Sequence, residues 1–123
     1  MGFVYVKGTV TRRAKKVTVK FLVDSGAMYT LLPDQVWRSL GLRPLKSMAF
    51  ELADGTEIER PISECKITLD GESRHTPVIL GEKGDAALLG VVTLEEFGLV
   101  LNPFKRTFQP IRSMLAQTKG NHR

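Results

Sequence analysis

The chain has 123 residues, enough for one domain around one modest core. Its single cysteine, Cys65, excludes an intrachain disulfide, and the wide separation of His75 and His122 argues against a structural zinc or a Cys-His nucleophile pair. The net charge of +5 is unevenly placed: residues 1–104 hold 13 basic and 13 acidic side chains, so the excess belongs to Lys105, Arg106, Arg112, Lys119 and Arg123.

No apolar stretch approaches bilayer length, and no signal-peptide, phosphate-loop or dinucleotide-binding pattern is found. The expectation is a cytoplasmic protein with no metal, no cofactor and no membrane contact. A second basic cluster, Arg12, Arg13, Lys15 and Lys16, reads as a solvated turn. No aromatic residue interleaves with it, so nucleic acid is not an expected partner.

In chain order, residues 3–10 and 17–23 read as strands of a hairpin turning through 12–16. Residues 33–41 read as a short helix, with Pro33 in its first turn, Gly41 as its C-terminal cap, and Val36, Trp37 and Leu40 on its core face. Residues 47–53 alternate as a strand, and Asp54-Gly55 signals a two-residue hairpin turn. The chain returns over 56–61 and continues as strand over 62–69, and another strand follows at 74–80, with a second such turn at Asp70-Gly71 and Pro77 marking an edge or a strand start. An apolar run at 86–90 precedes a short helix over 93–98, which Thr93 caps with Glu96 in the capping-box position. Closing strands at 99–101 and 107–111 flank an Asn102-Pro103 turn, and residues 112–123 read as a basic, disordered tail beyond a domain of residues 1–111. The sum is a mostly all-β chain: a small closed β barrel with one or two short helices.

One stretch carries chemistry. Phe21-Leu22-Val23 delivers a lone carboxylate, Asp24, followed by Ser25, Gly26 and Ala27, and a second apolar step comes at Thr30-Leu31-Leu32. Asp is depleted in strands and seldom buried without partners. Asp, Ser and Gly are also ordinary turn formers, yet a surface turn has no need of apolar flanks. Gly26 permits a close backbone approach, so exposed N–H groups and the Ser25 hydroxyl are candidates to hold the carboxylate.

These features, in this order, resemble the retropepsin-like aspartic proteases, in particular small prokaryotic members, over residues 3–111. The matches are Asp24-Ser25-Gly26-Ala27 after an apolar strand, a mid-chain hairpin at Leu52-Ala53-Asp54-Gly55-Thr56 where the family places its flap, and Ala87-Leu88-Leu89-Gly90 before a helix. Retroviral members carry an Asp after the first motif and an Arg after the second, and those two charges pair. Here the positions hold Met28 and Val91, so the pair is replaced as a unit and no buried charge is orphaned.

The resemblance implies an aspartic endopeptidase with Asp24 as catalytic residue. Ser25, Gly26 and Ala27 would support it, and Ala53 to Thr56 would form a flap over an extended peptide. Hydrolysis by this route needs two carboxyls sharing a proton, and the chain supplies one such motif, which implies a homodimer. Leu32, Leu88 and Ile79 are candidates for subsite walls or for plain core. The rival expectation is a non-catalytic module of the same fold that binds peptides or dimerises, and a third, ranked behind it, is nucleic-acid binding through the basic turn and tail.

Overall fold

The computed structural model describes residues 3–102 and 107–110. Seven strands form one sheet in the order β1-β2-β7-β3-β6-β5-β4. They are β1 (Tyr5–Arg12), β2 (Lys15–Val23), β3 (Thr30–Leu32), β4 (Lys46–Glu51), β5 (Glu57–Leu69), β6 (Glu72–Leu80) and β7 (Leu88–Leu89). Thr9–Thr11 of β1 also pair with Lys66–Thr68 of β5, which closes six of the strands into a ring and leaves β4 outside it. Two helices, α1 (Asp34–Leu40) and α2 (Val91–Glu96), complete this part, and β8 (Leu99–Asn102) pairs with β9 (Thr107–Pro110) in a separate hairpin. The mostly β architecture with two short helices expected from the sequence is the one observed. The proposed tail at 112–123, the 111/112 boundary and the turn after Asn102 lie outside the described residues.

Strand alternation places the core. Val10, Phe21, Leu32, Ile67, Val78 and Leu89 are almost fully enclosed, joined by Leu40 of α1 and Leu94 of α2. Each such side chain contributes about 1.5–3 kcal/mol by leaving water. Leu32 is therefore plain core, while Leu88 and Ile79 remain half-buried. Trp37 packs against the core and donates its indole Nε1–H to the Gly81 carbonyl at 2.8 Å.

Several local expectations need correction. The β1–β2 turn takes only Arg13 and Ala14, with Arg13 at a φ of 56°, so Arg12, Lys15 and Lys16 are strand residues in register. Pro33 precedes α1 as its N-cap rather than joining its first turn, while Gly41 closes the helix in the left-handed region as expected. Residues 57–69 form one unbroken strand, with the 56–61 return running on into 62–69 as expected. Pro77 lies inside β6, at a point where only β5 flanks it, because pairing to β3 starts at Val78. Its missing N–H therefore leaves no gap in the β3 ladder.

The Asp54-Gly55 turn is also larger than expected. The Leu52 N–H donates to the Thr56 carbonyl and the Gly55 N–H to the Leu52 carbonyl, so Ala53, Asp54 and Gly55 make a three-residue loop with Gly55 at a φ of 87°. Asp70-Gly71, both at positive φ, is the two-residue turn that the sequence predicts.

Helix α2 starts at Val91 with Gly90 as N-cap, two residues earlier than predicted. Thr93 does not cap it. Its hydroxyl is fully buried and lies 2.6 Å from Thr30 Oγ1 and 2.8 Å from Thr76 Oγ1. The trio ties α2 to β3 and β6, and no buried side-chain polar atom among the described residues lacks a partner.

Candidate active site

Asp24 stands where two parallel strands end side by side. Leu22 and Val23 of β2 lie in register with Leu88 and Leu89 of β7, and the Asp24 N–H donates to the Leu89 carbonyl at 3.1 Å. β7 in turn pairs with β3 through Leu31 and Leu88, so the 24–29 loop bridges two strands that flank β7. The two sequence motifs, more than sixty residues apart, thus meet as neighbours.

The loop is fixed by its own backbone. Gly26 donates its N–H to Asp24 Oδ1 at 2.9 Å, and the Ala27 N–H donates to the Asp24 carbonyl at 3.0 Å. A Cβ at Gly26 would stand 3.2 Å from that carboxylate oxygen, so glycine suits this close approach. The start of α2 then clamps the far end, as the N–H groups of Val91 and Val92 donate to the Ala27 and Met28 carbonyls, each at 2.9 Å. Asp24 and Ala27 are half-buried, whereas Ser25 and Gly26 are exposed.

Gly90 is the tightest point. A Cβ there would sit 2.4 Å from the Tyr29 carbonyl carbon and 2.9 Å from the Met28 oxygen. Its N–H donates to Thr30 Oγ1 at 3.0 Å. Ala87, Leu89 and Gly90 are buried, so the second motif is a floor beneath the loop rather than an exposed surface. Met28 is 61% exposed beside the site and Val91 half-buried, so neither position of the replaced charge pair carries a charge.

The β4–β5 hairpin reaches out from the ring. Residues 57–61 of β5 pair with β4 alone, because pairing to β6 begins at Ile62. Its tip residues, Ala53, Asp54, Gly55 and Thr56, are all exposed. Asp54 accepts the Thr56 N–H at 2.9 Å, and Thr56, through its hydroxyl and its backbone N–H, holds the Asp54 carboxyl below the usual range. The arm touches the Asp24 loop, since the Phe50 ring meets the Tyr29 ring edge-on with centroids 6.1 Å apart. Neither this contact nor the threonine trio was singled out from the sequence. Hydrophobic alternation at Met48, Phe50 and Ile58 was the signal available for the first.

No group of three or more metal-binding side chains occurs among the described residues. Cys65 is buried, and that burial, with the nearby Glu64 charge, pushes its thiol up to about 12. No helix among those residues is long and apolar enough to cross a membrane.

Comparison with known proteins agrees with this fold. The fold is similar to the solution structure of the simian foamy virus (mac) protease, at 19% identity and a TM-score of 0.57, with 76% of this chain and 93% of that one covered. It is also similar to the EIAV protease complexed with the inhibitor HBY-793, at 16% identity and a TM-score of 0.66, covering 82% of this chain and 93% of that one. No curated protein matches the chain significantly. Residues 10–96, which span both motifs and the arm between them, match the family described as "gag-polyprotein putative aspartyl protease", and the chain belongs to that retropepsin-like aspartic protease family.

Proposed function

We propose that the chain is an aspartic endopeptidase acting as a homodimer, with Asp24 from each protomer meeting across a two-fold axis. The observation that carries this reading is the Asp24 carboxylate, half-buried and braced by the Gly26 N–H at 2.9 Å, in a chain with one such motif. Two carboxyls about 3 Å apart do not both ionise readily, so this mechanism places one proton between the pair. The ionised carboxylate draws a proton from a water. Its protonated partner polarises the scissile carbonyl and later protonates the leaving amine. Both structural neighbours are proteases, which supports the same chemistry.

In this reading the Gly26 N–H orients the carboxylate, and the Ser25 hydroxyl, exposed in one protomer, braces the partner loop. The β4–β5 arm covers an extended peptide, with residues 53–56 offering backbone groups to it as an added strand would. The exposed apolar side chains Phe3, Tyr5 and Met28 suit burial between protomers. A reducing, cytoplasmic setting suits the lone Cys65 thiol.

The test is Asp24→Asn assayed on a peptide library, with sedimentation to follow the dimer. Cleavage should fall on the order of 10³-fold or more while the dimer persists. Undiminished proteolysis in the variant, or a strictly monomeric active protein, overturns the proposal. Peptide binding without turnover in the native protein assigns it to the non-catalytic class instead.

A further inference from the structure

The apparent neutrality of residues 1–104 hides a separation of charge. Residues 5–23 carry Lys7, Arg12, Arg13, Lys15, Lys16 and Lys20 and no acid, whereas residues 47–59 carry Glu51, Asp54, Glu57 and Glu59 and no base. The fold sends these two hairpins to different places. The β4–β5 arm lies against the Asp24 loop, and the β1–β2 turn lies at the far end of β2. Nine strand residues separate that turn from Asp24, about 30 Å at 3.3 Å per residue.

The turn is joined there by basic side chains from other strands. Lys16 is in register with Thr11, Thr11 with Lys66 of β5, and Lys66 with His75 of β6. Directly opposed residues share a face, so one row crosses four strands with three basic side chains, Lys16, Lys66 and His75, on it. Arg12, Arg13, Lys66 and His75 line a cleft of about 310 Å³ that also contains Glu64. Arg12 and Lys15 reach around the turn to Gly41, 3.3 and 4.0 Å from where a Cβ would stand at the C-terminus of α1. Among the described residues, no ion pair involves Arg12, Arg13, Lys15, Lys16 or Lys66. Arg12 and Lys15 are themselves directly opposed, an arrangement that costs stability and that no ion pair among the described residues relieves.

We infer that this basic pole binds the phosphate backbone of a nucleic acid, without reading its sequence. The row next to the cations, Thr18-Thr9-Thr68-Ser73, presents hydroxyls on the same face, and hydroxyls are regular phosphate ligands. The cations run past the cleft in two directions, which exceeds the needs of one small phosphate. None of the exposed large apolar residues, Phe3, Tyr5, Met28, Leu45 and Leu52, lines the cleft, so it lacks the apolar wedge of a membrane-binding face. The absence of aromatics there, which counts against base stacking, is neutral for backbone contact. The site lies apart from Asp24, so occupancy leaves the peptide cleft open.

The test measures binding of the full chain to a fluorescent 20-nucleotide RNA across a salt series. Three to five phosphate contacts give a log–log slope of about −2 to −3.5. The triple variant Arg13→Gln, Lys16→Gln, Lys66→Gln should weaken binding at least tenfold and flatten the slope by about 2. A control triple with the same charge change, Lys46→Gln, Arg60→Gln, Lys83→Gln, should bind within twofold of the native chain. Equal losses in both triples, or none in the first, overturn the inference. So does patch-dependent binding to phosphatidylserine vesicles or inorganic phosphate without RNA binding. A second readout needs no variant: RNA should protect Lys16 and Lys66 from acetylation but leave Lys46 and Lys83 reactive, and uniform protection counts against the site.

Discussion

Gly90 donates its backbone N–H to the buried Thr30 hydroxyl at 3.0 Å while its α-carbon faces the Tyr29 carbonyl with no room for a methyl group. This contact joins the end of β7 to the end of the Asp24 loop, so whatever moves it moves the carboxylate. Gly90→Ala places a Cβ 2.4 Å from backbone, which no rotamer change relieves. Overpacking of this kind costs about 1–3 kcal/mol. The denaturation midpoint should fall accordingly, and peptide cleavage should fall further than stability does, because the displaced loop is the one that holds Asp24. A variant with native stability and native turnover would show that the loop does not rest on Gly90.

The threonine trio beneath the site acts by satisfaction rather than by bulk. Thr93→Val keeps the volume but removes the hydroxyl that Thr30 and Thr76 both contact. Buried groups left without a partner cost about 1–3 kcal/mol. Thr93→Ser keeps the hydroxyl and should lose only about 1 kcal/mol, the worth of one buried methyl. Urea midpoints at unchanged slope measure both, and equal losses in the two variants would assign Thr93 to packing alone.

The arm's tip carries a pH signature. Because Thr56 bonds to the ionised form, the Asp54 carboxyl titrates below its ordinary 3.8. A depressed carboxyl favours the folded turn above the unfolded pKa and gives up that contribution as pH falls through the lower, folded value. The Thr56 amide resonance should therefore shift with a midpoint under 3.8, and Asp54→Asn should abolish the shift. A midpoint at or above 3.8 would mean the turn bond is not formed in solution.

Much of this was legible in residue order, for physical reasons that differ by element. Asp70-Gly71 reads correctly because both residues tolerate positive φ, and the chain uses both. The need of Asp24 for a hydrogen-bond donor is legible because a carboxylate after a core strand needs a partner, and the Gly26 N–H supplies one. Thr93 misleads, since a threonine ahead of Leu-Glu-Glu looks like a cap. Its true partners, Thr30 and Thr76, lie on strands remote in sequence. The neighbours of the Arg12–Lys16 cluster, Lys66 and His75, are hidden in the same way and appear only once β5 and β6 are in register. The pairing of β2 with β7 leaves no local signal at all: β7 is two residues long, and its parallel ladder is set by what surrounds it. The roles of Asp24 and its supports in catalysis stand as proposals on that geometry.

Tyr29 and Phe50 give the last prediction. Tyr29 closes the Asp24 loop and Phe50 faces it from the arm, with ring planes at 77° and centroids 6.1 Å apart. Edge-on aromatic pairs contribute about 0.5–1.5 kcal/mol beyond their buried area. Residues 46–61 are otherwise a two-stranded ribbon, and such ribbons are marginal alone. Phe50→Ala should therefore loosen the arm without unfolding the ring: Gly55 and Thr56 amides should exchange faster, while those of Val10 and Ile67 keep native protection. A double-mutant cycle with Tyr29→Ala should return a coupling of about 0.5–1.5 kcal/mol on arm opening. Zero coupling would mean that the two rings are neighbours without holding one another. In that case the arm's position over the loop would rest on the strand pairing of β4 with β5, and loosening Phe50 would leave peptide cleavage unchanged.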